Sequence, residues 1–415
     1  MKAFTTGNIL IPQNVDFTKW SVVACDQYTS EPEYWKKAER YVGSEPSTLN
    51  LIFPEAFLGE GDGRIEKINE TMKKYLDDGV FEEYCDSLIY VERKIADGKV
   101  RKGIVGCIDL EEYDFNKGSE SMVRATEGTV LERIPPRVKI RENAPLELPH
   151  IMILIDDEDK KIIEPLADKK QTLKKLYDFE LMADSGHLTG YLAGKEDCEK
   201  IFAGLDMLSD EFDSKYNIKN AAKLIFAVGD GNHSLATAKT CWENIKKNLP
   251  VSQWDNHPAR FALCEIVNLH DESLEFEPIH RVVFNVDCDN LLKEMHGYYN
   301  ISDKKTQGQH IKFVTENKQG DLYIQNPSSG LAVGTLQNFL DDYIKKHGGE
   351  VDYIHGDDVV LKLGTQKNNM GFILPPMGKN ELFKTVITDG ALPRKTFSMG
   401  EARDKRFYLE AKRIR

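Results

Sequence analysis

The chain has 415 residues and a formal net charge of −13, with 40% hydrophobic and 30% charged residues. This length is sufficient for two or three domains or subdomains built around a sizeable core. The acidic balance argues against nonspecific nucleic-acid binding and against attachment to an anionic membrane surface, although a local basic pocket could still bind an anionic small molecule.

The seven cysteines are scattered singly, without a CxxC pair. We therefore expect neither a disulfide framework nor a structural zinc site. The longest aliphatic run, near residues 151–155, is far too short to cross a bilayer, and we find no signal peptide. These features predict a cytoplasmic protein.

Near the amino terminus, polar residues follow a run that predicts a buried strand over residues 20–24. They include Asp26, Tyr28 and Glu31, and a helix with Pro32 in its first turn comes next. Open α/β sheets place their sites at the carboxyl ends of such strands, which makes these three residues candidates. A surface turn before a capped helix explains the pattern equally well.

Two hairpins are predicted next. Strand-like runs over residues 87–95 and 100–109 flank Asp97-Gly98, which is a strong turn signal. A second pair, over residues 149–155 and 161–166, flanks an acidic turn that lacks metal-loop spacing. A helix is expected near residues 171–177.

The segment between the hairpins, residues 124–141, is locally basic. It contains five basic residues and two prolines. Arginines suit bidentate recognition of phosphate or carboxylate, so Arg124 and Arg137 are candidate ligand contacts. Such runs are more often solvated or paired with neighbouring acids.

The central segment carries the strongest local signal. An apolar run, Leu224–Val228, predicts a buried strand, and Gly229-Asp230-Gly231-Asn232 predicts a sharp turn. A helix then begins, with Asn232 or Ser234 as its expected cap.

This turn has chemical consequences. A glycine turn that leads into a helix leaves backbone N–H groups and the positive end of the helix dipole facing open space, where a phosphate can bind. Asp230, His233 and Ser234 lie at the same place. The alternative is an ordinary strand–turn–helix corner, because the pattern matches neither the dinucleotide-binding fingerprint nor the P-loop.

Further candidates lie near the carboxyl terminus. His280 and Arg281 stand between a proline and an apolar strand, where they could contact phosphate or transfer a proton, or could simply belong to an edge strand. Arg394 belongs to a basic loop that could close over an anion. We expect a main body over residues 1–290 that carries the site, with residues 291–415 as a second α/β part packed against it.

Four segments in this order resemble a bacterial and archaeal family catalogued as domain of unknown function 1015. They are residues 22–32, Gly229–Ser234, Pro278–Arg281 and residues 392–397. The resemblance spans nearly the whole chain and implies a mixed α/β (α+β) fold, with mixed sheets, packed helices and a ParB/sulfiredoxin-like core element.

In ParB/sulfiredoxin-like proteins, which the central motif resembles, a turn at a helix amino terminus binds nucleotide phosphate. One branch, the free-serine kinases, transfers phosphate from a nucleotide to L-serine with the help of the turn's aspartate and an amino-terminal glutamate. The resemblance implies Asp230 as that aspartate and His233 as the turn's second histidine. Ser234 replaces the usual arginine, and Glu31, with Asp26 as its rival, stands for the glutamate.

We therefore expect an enzyme that handles a small phosphorylated metabolite, by nucleotide-dependent phosphoryl transfer to or from serine or phosphoserine. Gly229, Gly231 and Asn232 would cradle the phosphate, and Asp230 would act as base or Mg²⁺ ligand. His233 and Arg281 would stabilise charge, with ATP or ADP and Mg²⁺ as the implied cofactors.

Phosphatase action would use the same groups, and a noncatalytic nucleotide- or metabolite-binding regulator is the alternative. The partner expected is a small anionic molecule rather than nucleic acid or a membrane. The oligomeric state is left open, with a homodimer as one option.

Overall fold

The structure is a computed structural model that describes residues 3–23, 28, 31–148, 151–218, 221–399 and 407–415. The chain divides into two compact units, Met1–Leu274 with Glu401–Arg415, and Glu275–Gly400. The expected mixed α/β class is confirmed, because both units combine helices with sheets. The sequence-based division into a main body over residues 1–290 and a second part over residues 291–415 stays a prediction, and the boundary between the compact units falls after Leu274.

The first unit carries most of the strands. In chain order they are β1 (Phe4–Thr5), β2 (Gly7–Pro12), β3 (Phe81–Ser87), β4 (Ile89–Lys94), β5 (Val100–Asp109), β6 (Tyr113–Asp114), β7 (Val123–Ala125), β8 (Leu146–Glu147), β9 (Met152–Ile155), β10 (Lys174–Glu180), β11 (His187–Leu192), β12 (Phe226–Asp230), β13 (Phe261–Asn268) and, near the end of the chain, β21 (Ala411–Arg413). Its helices are α1 (Phe17–Trp20), α2 (Pro32–Val42), α3 (Asp62–Asp77), α4 (Ile134–Arg141), α5 (Pro165–Lys169), α6 (Lys195–Tyr216) and α7 (Asn232–Lys246).

The strands in the described part of this unit form two sheets. Ten strands form the larger sheet, in the order β10-β11-β4-β5-β13-β9-β12-β7-β6, with β1 paired to β5. Most neighbours are antiparallel, but β9 runs parallel to β13, and β7 runs parallel to both β12 and β6. The smaller sheet has the order β3-β2-β21-β8.

One hydrophobic core joins the two sheets. Buried side chains from β2 and β21 of the smaller sheet pack with others from β4, β5, β10, β11 and β13 of the larger one. Trp20 is fully buried here, and its indole N–H donates to the carbonyl of Leu409 at 3.1 Å. The carboxyl-terminal segment is therefore an integral part of the first unit.

The same core contains ionisable groups. The hydroxyl of Tyr177 donates to the carboxyl group of Glu410, and both side chains are buried. Gly190 makes room for this pair, since a Cβ atom at that position would lie 2.1 Å from the Tyr177 ring. Burial raises the pKa of Glu410 to about 7.

Several sequence expectations are confirmed and others are wrong. The Asp97-Gly98 hairpin, the strand before Gly229 and the helix after it are present. Residues 17–20 form a helical turn instead of leading into a strand, because the Asp16 carboxylate caps the N–H of Thr18. Residues 21–23 are likewise not a strand, apart from an isolated bridge at Val23, and residue 24 lies outside the described residues.

Two further errors concern residues 161–177. Over the described residues 151–166 no second hairpin forms, because the carboxylate of Asp157 accepts the N–H of Ile162 at 2.8 Å and closes a turn that leads into α5. The helix expected near residues 171–177 is mostly strand β10, which pairs antiparallel with β11. Tertiary pairing here overrides the local helical pattern.

The second unit has its own sheet. Its strands are β14 (Phe276–Phe284), β15 (Ile301–Ser302), β16 (Gln309–Val314), β17 (Gln319–Ile324), β18 (Glu350–His355), β19 (Met370–Ile373) and β20 (Phe397–Met399), and its helices are α8 (Cys288–Tyr298), α9 (Ala332–His347), α10 (Asp357–Gly364) and α11 (Lys379–Asp389). Among the described residues, the sheet order is β15-β17-β16-β19-β14-β18, with β20 also paired to β14.

Candidate functional site

Two parallel strands of the first unit end side by side. Val228 of β12 is paired with Ala125 of β7, so the loops that follow both strands leave the same edge of the sheet. Such an edge is where α/β sheets commonly bind ligands. The loop after β12 is the glycine turn identified in the sequence, and the loop after β7 spans residues 126–130.

The glycine turn is sharply defined. The pairing of β12 with β9 shifts register between Val228 and Asp230, at Gly229, and the Asp230 carboxylate accepts the N–H of Gly231 at 2.9 Å. Gly231 has φ of +93°, and a Cβ atom there would lie 3.2 Å from the Cα atom of Ile151. A side chain at this position is disfavoured by both conformation and space.

Helix α7 begins without a side-chain cap. Its N-cap residue is Gly231, which corrects the expected caps at Asn232 or Ser234. The N–H groups of the first turn of a helix have no acceptor within the helix, and here no cap side chain competes for them. The helix dipole adds partial positive charge at the same point, so the turn suits an anion.

The loop after β7 is fastened to this turn. The hydroxyl of Thr126 donates to the carbonyl of Val228 at 2.7 Å, and the N–H of Val130 donates to Nε2 of His233 at 3.3 Å. Because Nε2 of His233 accepts a hydrogen bond, the proton of the neutral ring belongs on Nδ1.

Sequence reasoning missed the contribution of this second loop. Thr129 Oγ1 and Asn232 Oδ1 are buried atoms that have no hydrogen-bond partner within the described residues. Each belongs to a residue next to the Val130–His233 bond, and buried polar atoms are normally satisfied. The sequence does show polar residues directly after this strand. They lie within residues 124–141, a segment that we interpreted only through its basic side chains.

A cavity of about 220 Å³ opens beside α7. Its walls come from residues 51–55, α2, α3, α4, residues 144, 146–148 and 151, Tyr408 and the first turns of α7, where Ser234 contributes. Most of the lining is apolar. Arg137 and Arg141 of α4 also border the cavity, so the structure brings the sequence candidates Arg137 and Ser234 to one place.

Both arginines are paired with carboxylates. Arg137 contacts Glu55 and also donates to the carbonyl of Arg133 at 2.7 Å. Arg141 contacts Glu147, which is buried and accepts the N–H of Leu263 at 2.9 Å. Burial disfavours ionisation of Glu147, but Arg141 and Lys412 outweigh it and hold the pKa of Glu147 below its usual range.

Arg124 has contacts of a different kind. Its guanidinium donates to the carbonyls of Ser121 and Ala222, each at 2.7 Å, and its side chain is buried. Burial lowers the pKa of Arg124. These bonds tie β7 to the segment that enters β12, so Arg124 supports the two strands from which the candidate site is built.

The amino-terminal candidates lie at the start of α2. Glu31 is exposed at the N-cap position and makes no side-chain capping bond. The ring of Tyr28 stacks on that of Tyr34 at 3.8 Å, and its carbonyl accepts the indole N–H of Trp35 at 3.1 Å. Trp35 lines the cavity and follows Glu31 by one helical turn. Asp26 lies outside the described residues.

His280 and Arg281 belong to the second unit, where both are buried. Nδ1 of His280 accepts the N–H of Leu374 at 3.1 Å, and Nε2 lies 2.9 Å from a carboxylate oxygen of Asp357. Burial lowers the pKa of His280, consistent with a neutral ring that donates from Nε2.

Arg281 donates to backbone carbonyls of the second unit. It donates to the carbonyls of Ile279, Lys395 and Arg394 at 2.7, 3.1 and 3.0 Å. Its Nε atom donates to Gln337 at 2.8 Å. The Arg394 side chain is exposed.

Within the described parts of the chain, no group of three or more His, Cys, Asp or Glu side chains is placed to hold a metal ion. No helix in this part of the chain combines the length and apolar character needed to cross a bilayer.

The structure defines a mixed α/β protein in which a glycine turn leads into the uncapped start of α7. The chain belongs to the family described as Protein of unknown function (DUF1015), whose model matches residues 10–343. No curated protein matches the sequence.

Three solved structures are similar to this chain at low identity. SbnI with C-terminal truncation from Staphylococcus aureus has a TM-score of 0.36 and 10% identity, over 74% of this chain and 82% of that one. A free serine kinase in complex with AMP has a TM-score of 0.38 and 10% identity, over 75% and 92%. A conserved hypothetical protein from Pyrococcus furiosus has a TM-score of 0.34 and 11% identity, over 71% and 90%. Likeness at this level transfers no activity to the present chain.

Proposed function

We propose that this protein is a small-molecule phosphate-handling enzyme that catalyses nucleotide-dependent phosphoryl transfer to or from serine or phosphoserine. The observation that carries the proposal is the start of α7, where Gly231 replaces a capping side chain directly after Asp230. An anion at this point would receive hydrogen bonds from the first turn of α7 and would face the positive end of its dipole.

The phosphate would lie against the turn from Gly229 to Ser234. Gly231 allows close approach, since it lacks a Cβ atom. Thr129 offers a buried hydroxyl beside the turn, which can donate to a phosphate oxygen. Arg137 borders the same cavity as Ser234 and is a cationic candidate from α4.

Phosphoryl transfer requires mainly positioning of the reactants and stabilisation of charge. In this proposal Asp230 accepts the proton of the acceptor hydroxyl or holds the metal ion that accompanies the nucleotide. His233, whose Nε2 atom is engaged with Val130, would donate from Nδ1 to the transferring group. Glu31 at the start of α2 is the proposed second carboxylate, with Asp26 as its rival.

A Mg²⁺ ion held by the nucleotide phosphates is compatible with a single protein carboxylate, that of Asp230. Mg²⁺ commonly takes one or two protein carboxylates and completes its shell with water and substrate phosphate oxygens. Asp230 would supply the protein ligand, and the ion would polarise the phosphate that is transferred.

We assign His280 and Arg281 no part in the proposed chemistry, because they form hydrogen bonds with backbone groups of the second unit. Arg394 is exposed and stays a prediction as an anion contact.

The test is incubation of the purified protein with L-serine and ATP or ADP labelled in the terminal phosphate. We expect labelled phosphoserine, with the reverse reaction observable from phosphoserine and AMP or ADP. Release of inorganic phosphate from phosphoserine in water would indicate a phosphatase instead. Saturable nucleotide binding without any product would support a noncatalytic regulator and overturn the enzyme proposal.

A further inference from the structure

The cavity beside α7 borders the proposed phosphate turn at Ser234, the residue of that turn that lines it. Ser234, Thr237 and Ala238 line the cavity, and their spacing of three and four residues places them on one face of the helix. Ile151, which packs against Gly231, lines it as well. The cavity therefore lies along α7, next to the proposed phosphate turn.

The walls away from α7 are mostly apolar. They include Phe53, Met72, Ile140 and Leu148. The charged groups at the cavity are already matched, since Arg137 contacts Glu55 and Arg141 contacts Glu147. Glu147 is also held by the N–H of Leu263, so it is not available to turn toward a ligand without breaking that bond.

The cavity walls suit some chemical groups of serine and of the nucleotide better than others. The phosphates are served by the start of α7. The charged ammonium and carboxylate groups of serine would have to break existing ion pairs or enter unpaired, which is costly. An uncharged aromatic base can instead contact the apolar walls directly. A cavity of about 150 Å³ admits benzene, so one of about 220 Å³ can hold a larger flat ring.

We propose that this cavity holds the base of the nucleotide and favours purines through size and apolar contact. The inference rests on the proposed function, because the phosphates must lie at the start of α7. The larger apolar surface of a purine would separate it from a pyrimidine. Arg137 and Arg141 can offer only N–H donors, and adenine and guanine both present a ring-nitrogen acceptor at N7, so the cavity would distinguish adenine only weakly from guanine.

Calorimetric titration of the full chain with ADP, GDP, UDP and inorganic pyrophosphate tests this. We expect ADP and GDP to bind within about fivefold of each other. UDP and pyrophosphate should bind at least about tenfold more weakly, because they bury less apolar surface.

A substitution in the cavity wall tests whether the nucleotide base lies in this cavity. Ile140→Trp places a larger side chain in the cavity from a partly buried position on α4. We expect it to weaken ADP binding at least about tenfold while leaving pyrophosphate binding unchanged. Lys139→Trp is the matched control, since Lys139 is exposed on the same helix, and it should leave both affinities unchanged. Thermal unfolding would show that each variant is folded.

If Ile140→Trp fails to fold, Met72→Ala enlarges the same cavity and should weaken ADP about threefold or more, again without affecting pyrophosphate. Equal binding of ADP and pyrophosphate, or full ADP affinity in a folded Ile140→Trp protein, would overturn the base pocket and leave the phosphate site intact. No binding of any of the four compounds would overturn both this inference and the proposed function.

Discussion

The backbone N–H of Val130 donates to Nε2 of His233 across 3.3 Å and joins the loop after β7 to the first turn of α7. The two loops follow neighbouring parallel strands. Because this bond joins them, they form one surface at that edge of the sheet. It also leaves Nδ1 as the protonated position of a neutral His233 ring. The candidate chemistry depends on this arrangement.

Asp230→Asn should reduce phosphoserine formation by about 10²–10⁴-fold, the usual contribution of a general base, while thermal stability stays close to that of the native protein. The asparagine oxygen can still accept the N–H of Gly231, so the turn should persist. Asp97→Asn, in an exposed hairpin turn, is the control and should retain full turnover. Unchanged turnover in a folded Asp230→Asn protein would remove Asp230 from the chemistry.

Gly231→Ala should lower the free energy of unfolding by about 1–3 kcal/mol, since the residue has φ of +93° and a Cβ atom would crowd Ile151. Phosphate binding should weaken with it, because the turn must shift. Gly63→Ala is the matched control, as no atom lies within 4 Å of its added Cβ and its φ is not positive. Urea unfolding followed by circular dichroism measures both, and equal stability of the two variants would contradict the prediction.

Glu55→Gln should tighten the binding of inorganic phosphate about fivefold, because it removes the carboxylate paired with Arg137 at the cavity. The gain should shrink at high salt, since added ions screen charge. Glu60→Gln breaks a comparable pair with Arg64 at a position away from the cavity lining and serves as control. Calorimetric titration that shows the same affinity for both variants would exclude Arg137 from anion binding.

Glu410 should make stability depend on pH. Burial raises its pKa to about 7 from an ordinary value of 4.5, so its contribution is fully present below pH 4.5 and is lost as pH rises to about 7. Over this range the free energy of unfolding falls by at most about 1.4 kcal/mol per pH unit. Glu410→Gln stays neutral and can still accept from Tyr177.

The variant should therefore be more stable than the native protein at about pH 8, by roughly 1–3 kcal/mol, and similar to it near pH 4.5. Urea midpoints for the first unit across this range provide the measurement. Glu158→Gln, at an exposed position, should follow the native profile. Parallel pH profiles for the native protein and Glu410→Gln would show that Glu410 does not titrate in this window.

Arg281→Lys should destabilise the second unit by about 2–4 kcal/mol, because lysine cannot reach the carbonyls of Ile279, Arg394 and Lys395 together. Arg394→Lys, at an exposed position, is the control and should be nearly neutral. Denaturant unfolding gives the stabilities. Lost phosphoserine formation with unchanged stability would instead place Arg281 in the chemistry, as its position in the sequence suggested.

The sequence by itself determined the local part of the candidate site. An apolar run, two glycines and a helical stripe were enough to locate β12, the turn at Gly231 and α7, because each depends on residues close in the chain. The same holds for the Asp97-Gly98 hairpin. The family resemblance was equally readable, since its motifs are short and ordered.

Only the tertiary structure decided which distant residues meet. The strand nature of residues 174–177 comes from pairing with β11, the loop at Thr129 reaches the site because β7 lies beside β12, and Arg281 is held by carbonyls more than a hundred residues away. Local propensities are weak compared with the burial and hydrogen bonding that packing supplies. A hydrogen-bond partner so far along the chain leaves no trace in local spacing, so only the folded structure could identify it.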